Sequence, residues 1–125
     1  MRTAAGIVAL LSVFLVAADD KPLTPDEAIK KVDEKVVVQM LVKASKNRLE
    51  KFKEIYLDSE LDFKDEKNLA IVITETGAAK FKDAGIDEPA GHFKDKTIRV
   101  TGTVTLKERR PRIEVNDPKQ IEEVK

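Results

Sequence analysis

From Thr97 to Val115 the chain alternates so regularly that a β-hairpin accounts for it. Ile98, Val100, Val104 and Leu106 share one parity, with Gly102 among them, and Thr97, Arg99, Thr101, Thr103 and Thr105 take the other. Successive strand side chains point to opposite faces, so this strand has one apolar and one polar face. Charge and a proline interrupt the pattern at Lys107–Pro111. Arg112-Ile113-Glu114-Val115 resumes it, and Asn116-Asp117-Pro118 closes it as a turn. Such a hairpin commits part of the core to a sheet. It also leaves basic side chains at its tip and on its outer face.

The first residues belong to a different problem. Arg2 precedes an apolar run, Ala4–Val16. At about 13 residues this run has the length of a secretory signal core, and it falls short of the ~20 residues of a bilayer span. Val16-Ala17-Ala18 supplies the small residues of a cleavage site, so residues 1–18 are expected to be a signal peptide and 19–125 a secreted or periplasmic domain. The remaining length, roughly 107 residues, suits one domain with no stable membrane span after cleavage. The chain has no cysteine, so its stability must come from packing.

Thr24-Pro25-Asp26-Glu27 marks a helix start, with Thr24 as cap, Pro25 in the first helical position and Glu27 completing a capping box. Ala28, Ile29 and Val32 form its apolar stripe, which places its end near Asp33. Glu34–Ala44 reads as a first strand, apolar on both faces. Ser45–Lys53 reads as a polar, basic connection, Glu54–Asp58 as a second strand, and Ser59–Lys67 as an acidic loop. The nearly continuous apolar run in Asn68–Thr74 reads as a buried third strand. Thr76–Ala84 reads as a helix capped by Thr76, with Phe81 on its apolar face and Gly85 as its stop. A connector at Ala90–Lys94 leads to the hairpin, and Ile121 and Val124 offer a last extended segment.

Five strands with a helix between the third and fourth is the order of an OB-fold, a mainly β, five-stranded Greek-key barrel, here with a short N-terminal helix. Phe81 is then the plug of the barrel. The segment Lys96–Val124 resembles the C-terminal half of small bacterial OB-fold domains described as nucleic-acid-binding or tRNA-anticodon-binding-like. The likeness lies in Val100–Val104, Arg110–Ile113 and Asn116–Ile121. Ile55–Ser59 and Asn68–Ile73 are similar to the second and third strands of such domains, and the resemblance spans roughly Glu27–Val124. It implies a binding module for nucleic acid. Such domains carry glycine before and within the first strand, where this chain has Asp33 or Glu34 and then Met40, so less bending is expected there. Aromatic residues are also sparse. The exported, OB-like stress proteins of the Gram-negative periplasm are a second, looser resemblance.

Charge is balanced overall, with 23 basic and 23 acidic residues, so only its distribution can indicate a ligand. Lys43, Lys46, Arg48, Lys51 and Lys53 cluster against Glu50 alone, and Lys107, Arg109, Arg110 and Arg112 against Glu108. In an OB-fold these stretches are the loops that flank the ligand face. The expected ligand-binding set is Lys46, Arg48, Lys51, Tyr56, Arg99, Lys107, Arg109, Arg110 and Arg112, with Tyr56 stacking on a base. The implied partner is single-stranded nucleic acid or another polyanion. The alternative is a periplasmic envelope or stress-related module that binds a protein, a glycan or a small ligand. Solvated surface charge is the plainer explanation of both clusters.

Other chemistries are weakly represented. Asp58-x-Glu60-x-Asp62-x-x-Asp65-Glu66 starts like a calcium loop but has no glycine at the turn, so a solvated loop is expected. His92 is the one histidine. With no cysteine, one histidine and only Ser45 and Ser59 after the leader, nucleophilic triads and structural zinc sites are not expected. The expectation is a non-catalytic protein without a cofactor or metal.

Overall fold

The computed structural model describes residues 21–125; the expected signal segment, 1–18, lies outside them. Among the described residues no helix is long and apolar enough to cross a membrane. The chain is mainly β. Its elements are α1 (Pro25–Ala28), β1 (Lys35–Leu41), β2 (Ala44–Arg48), α2 (Leu49–Phe52), β3 (Glu54–Asp58), β4 (Ala70–Thr74), α3 (Glu75–Asp83), α4 (Pro89–Phe93), β5 (Thr97–Lys107), β6 (Arg110–Val115) and β7 (Ile121–Glu123). The strands run in the order β1-β5-β6-β4-β3-β2, with β7 added beside β5.

Seven strands stand where five were expected. The first expected strand is divided: β1 pairs with β5, whereas β2 pairs with β3. Val42 and Lys43 make the transfer. Val42 N–H donates to the Lys96 carbonyl and Lys43 N–H to the Asp58 carbonyl. One segment therefore supplies both ends of the strand order, and it turns without a glycine. The expectation of a less bent first strand is corrected here. Asp33 takes a positive φ of 72° just before β1.

The long strand β5 also changes partners. Lys35–Leu41 pairs with Thr97–Thr103, and Arg110–Ile113 pairs with Val104–Lys107. Gly102 lies at this transfer, where a Cβ would drive into Ile113, which explains a glycine at an inward parity. The hairpin tip is tight. Glu108 and Arg109 both adopt positive φ, 52° and 70°, which is the geometry that matches the twist of two strands joined by a two-residue turn.

The core joins inward residues of β1, β3, β4, β5 and β6, among them Val38, Ile55, Leu57, Ile71, Ile73, Ile98, Val100, Val104 and Ile113. Phe81 from α3 is 1% exposed and meets Phe93 of α4 edge-on, with ring centres 5.7 Å apart. The cap of α3 is Thr74, whose hydroxyl accepts from Gly77 N–H at 3.1 Å, and not Thr76. Gly77 is required for a different reason than cap chemistry: a Cβ there would run into the Val115 carbonyl. The first helix is shorter than its apolar stripe suggests, ending at Ala28, although Thr24 and Glu27 form the expected capping box. The connector near Ala90 is a helical turn, α4.

Candidate functional site

Outward parity on β2, β3, β4 and β6 builds one continuous surface. Its cross-strand rows follow from the register: Arg48 beside Glu54, Lys46 beside Tyr56 and Val72, and Asp58 beside Ala70 and Arg112. Val72 is fully buried here yet lies outside the main core, flanked by Tyr56 and Glu114 in register. The acidic loop, α2 and the β5–β6 tip rise around this face and enclose an open groove of about 570 Å³.

The groove is lined by six cations, Lys46, Arg48, Lys51, Lys107, Arg110 and Arg112, against three carboxylates, Glu54, Asp58 and Glu108. Tyr56, Phe52 and Phe63 add aromatic surface. Of the residues singled out from the sequence, the structure brings seven together here: Lys46, Arg48, Lys51, Tyr56, Lys107, Arg110 and Arg112. Arg99 is a correction. It lies in the part of β5 that pairs with β1 and β7, donating to Gln39 Oε1 at 2.9 Å and pairing with Glu122 at 3.9 Å. Arg109 is a second correction, because it occupies the outer turn position and does not line the groove. The stretch Ser45–Lys53 is a third. It is an edge strand and a helical turn rather than a loop, so Lys46 and Arg48 are held by the pairing of β2 with β3.

Three residues form a fixed cluster in the floor. Arg112 Nη1 donates to Glu54 Oε2 at 2.9 Å, and Tyr56 Oη donates to Glu54 Oε1 at 2.6 Å. The side chains of Arg112 and Glu54 are only 11% and 16% exposed. Arg112 is therefore neutralised by its partner and acts mainly to orient the floor, a role that its charge alone did not reveal. Burial raises the Glu54 carboxyl, but hydrogen bonds from Tyr56 and Arg112 and the charges of Arg112 and Lys107 outweigh it and hold the group below its ordinary value.

Tyr56 is pushed up to about 12, first by burial and then by its hydrogen bond to Glu54 and that carboxylate's charge. A folded-state value above the unfolded one favours the neutral phenol. That stabilisation is complete below about pH 10 and is lost as pH rises through 12. Tyr56 is the only tyrosine, so the ultraviolet titration of tyrosinate reports it alone. The midpoint should lie near 12, and Glu54→Gln should bring it down toward the ordinary ~10. A wild-type midpoint near 10 would contradict the cluster.

At the rim, Phe63 carries no signal in the sequence that sets it apart, and its neighbours define its place. The Arg110 guanidinium lies 5.0 Å and the Lys46 ammonium 5.5 Å from its ring centre. It thereby links β2, the acidic loop and the hairpin tip. The acidic loop itself is organised locally, since Asp62 Oδ1 accepts from Lys64 N–H and Asp65 Oδ1 from Lys67 N–H, both at 2.9 Å. Among the described residues no three metal-ligating side chains come together. His92 lies apart from the groove, with Nε2 2.7 Å from Glu123 Oε2.

No family model matches the chain, and no curated protein matches it. Solved structures do. An asparaginyl-tRNA synthetase from Pyrococcus horikoshii is similar with a TM-score of 0.55 and 16% identity over 83% of this chain. A protein assigned as an aspartyl-tRNA synthetase from Leishmania major Friedlin is similar with a TM-score of 0.54 and 13% identity over 99%. The chain spans 23% of the length of each. An OBody, AM1L10, bound to hen egg-white lysozyme, matches over 86% of this chain and 89% of its own, with a TM-score of 0.50 and 10% identity. At these identities the likeness is one of fold, and the fold is OB-like.

Proposed function

We propose that this chain is a non-catalytic module that binds single-stranded nucleic acid along the outer face of β2, β3, β4 and β6. The observation that carries this reading is the concentration of six cations and three aromatic rings in one groove of a chain with no net charge. Arg112 is already paired, which leaves Lys46, Arg48, Lys51, Lys107 and Arg110 for phosphates. Cations hold the backbone of a nucleic acid without reading its sequence, and ring faces such as Tyr56 and Phe63 stack only on bases that are unpaired. The two synthetase neighbours, whose names carry tRNA, support the same class of partner. In this reading β1 and β2 are the arms of one bent strand. With β7 as an addition beside β5, that gives the five strands of an OB barrel with the groove across its side. Residues 1–18 would export the module.

Engagement of three or four phosphates sets the test. Affinity for a short single-stranded oligonucleotide, followed by fluorescence anisotropy, should fall with salt at a log–log slope of about −2 to −3. A flat salt dependence, or no binding at low salt, contradicts the reading. Equal affinity for a sulfated polysaccharide reduces it to general polyanion binding.

A further inference from the structure

Three carboxylates line a groove otherwise suited to phosphate, and two of them are accounted for. Glu54 is neutralised by Arg112 and Tyr56. Glu108 is exposed at the hairpin tip, where water solvates it. Asp58 differs from both. It is 5% exposed, lies at the end of β3 and lines the groove. Its Oδ1 accepts from Asn68 Nδ2 at 3.0 Å. Asn68 is held in turn, because its Oδ1 accepts from Glu60 N–H at 2.9 Å. Among the described residues nothing donates to Asp58 Oδ2. A carboxylate has about four acceptor positions, and burying an oxygen without a donor is costly.

We propose that Asp58 is the specificity-determining residue of this groove, accepting a hydrogen bond from the exocyclic amine of a cytosine, adenine or guanine base. The assignment rests on the nucleic-acid reading above. A phosphate is excluded at this position by like charge, and the lack of a ligating cluster among the described residues argues against a divalent cation. The missing partner must be a hydrogen-bond donor that reaches a recessed oxygen. Ala70 stands opposite Asp58 in register and, with its single methyl, leaves room above it. An exocyclic amine projects from the edge of the base. The N3–H of thymine or uracil sits back between two carbonyl oxygens, which meet the carboxylate first and repel it. Depth of burial therefore favours amine-bearing bases. Burial raises the Asp58 carboxyl, against the Asn68 hydrogen bond and the Lys46 charge, so a further donor supplies what the protein leaves unmet.

The test compares the intact protein's affinity for oligo(dC), for oligo(dT) and for an oligonucleotide in which pyrimidin-2-one, the cytosine ring without its amine, replaces cytosine. Oligo(dC) should bind about 10-fold tighter than the other two. Asp58→Asn keeps an acceptor for Asn68 and offers an amide donor to the groove. It should bring the dC-to-dT ratio to about one or below with little change in melting temperature. A purely structural role would alter the melting temperature and leave the ratio intact. If Asp58→Asn does not fold, the pyrimidin-2-one comparison decides on the wild-type protein. Equal binding of cytosine and pyrimidin-2-one overturns the assignment while leaving nucleic-acid binding in place. No binding of any oligonucleotide overturns both.

Discussion

Replacing Lys46 and Arg110 together by glutamate should lower affinity for a single-stranded oligonucleotide by roughly 100-fold, about 2.7 kcal/mol, near physiological salt. Both side chains are exposed at the groove, so the change removes two of the cations proposed to hold phosphate and adds two repulsive charges without disturbing the core. Both also lie over Phe63, at 5.5 and 5.0 Å, so the ring keeps only Lys64, at 5.9 Å, of its three cationic neighbours. Each such contact is worth about 0.5–1 kcal/mol at an exposed site. Anisotropy measures the affinity, and the melting temperature should stay within a few degrees of wild type. The control away from the groove is Arg99→Glu. Arg99 is equally cationic but is engaged with Gln39 and Glu122 away from the groove, so its reversal should change affinity by no more than about threefold. The double variant changes the net charge by four units and Arg99→Glu by two, so a loss of about 10-fold in Arg99→Glu, half of the other in log units, would mean that net charge, and not the groove, governs binding.

Phe81→Ala should destabilise the domain by about 3–5 kcal/mol and lower the melting temperature by roughly 15–25 °C. The side chain is 1% exposed and touches Phe93, which anchors α4 in turn. Truncation leaves a cavity that two small helices and a stiff sheet collapse around only partly. No disulfide is available to compensate, because the chain has no cysteine. Phe81→Leu keeps most of the apolar volume and should cost much less, about 1–1.5 kcal/mol. Circular dichroism melts decide the matter. A loss below about 5 °C for the alanine variant would show that Phe81 is not central to the packing.

The parts of this fold that sequence reveals are those where one face is buried. The alternation of β5 and β6 reports the core directly, and the unbroken Ala70-Ile71-Val72-Ile73 run reports a strand covered on both faces. Phe81 stands out as the one large apolar residue of its helix. Strand β2 is silent for the opposite reason. Ala44-Ser45-Lys46-Asn47-Arg48 lies at an edge, buries nothing completely and carries no periodicity, so only its pairing with β3 makes it a strand. Thr74 and Thr76 bracket the helix start equally well in sequence. The length of β4, set by its pairing with β3, decides in favour of Thr74.

The groove was legible as charge but not as geometry. Two basic clusters lie some 60 residues apart in sequence, and the strand order that joins β2 to β3 and β4 to β6 brings them together. Arg99 shares its parity with residues of the same strand, yet β5 changes partners near Gly102, and parity does not tell which part of the sheet a residue faces. Arg112 reads as a free cation because its partner, Glu54, lies 58 positions away. Asp58 disappears among the acids of the following loop. What separates it from them is burial, which only the closed β3–β4 connection and Asn68 create.

If ligand occupies the face bearing Tyr56, nuclear magnetic resonance of this protein's single tyrosine will report it. Adding a single-stranded oligonucleotide at low salt should shift the Tyr56 ring protons upfield, together with the amides of Lys46, Phe63 and Arg110. Raising salt to about 200 mM should reverse the shifts, and the signals of Arg99, His92 and Glu123 should stay in place throughout. Movement confined to Arg99 and β7 while Tyr56 stays fixed would contradict the account, as would the absence of any shift at low salt.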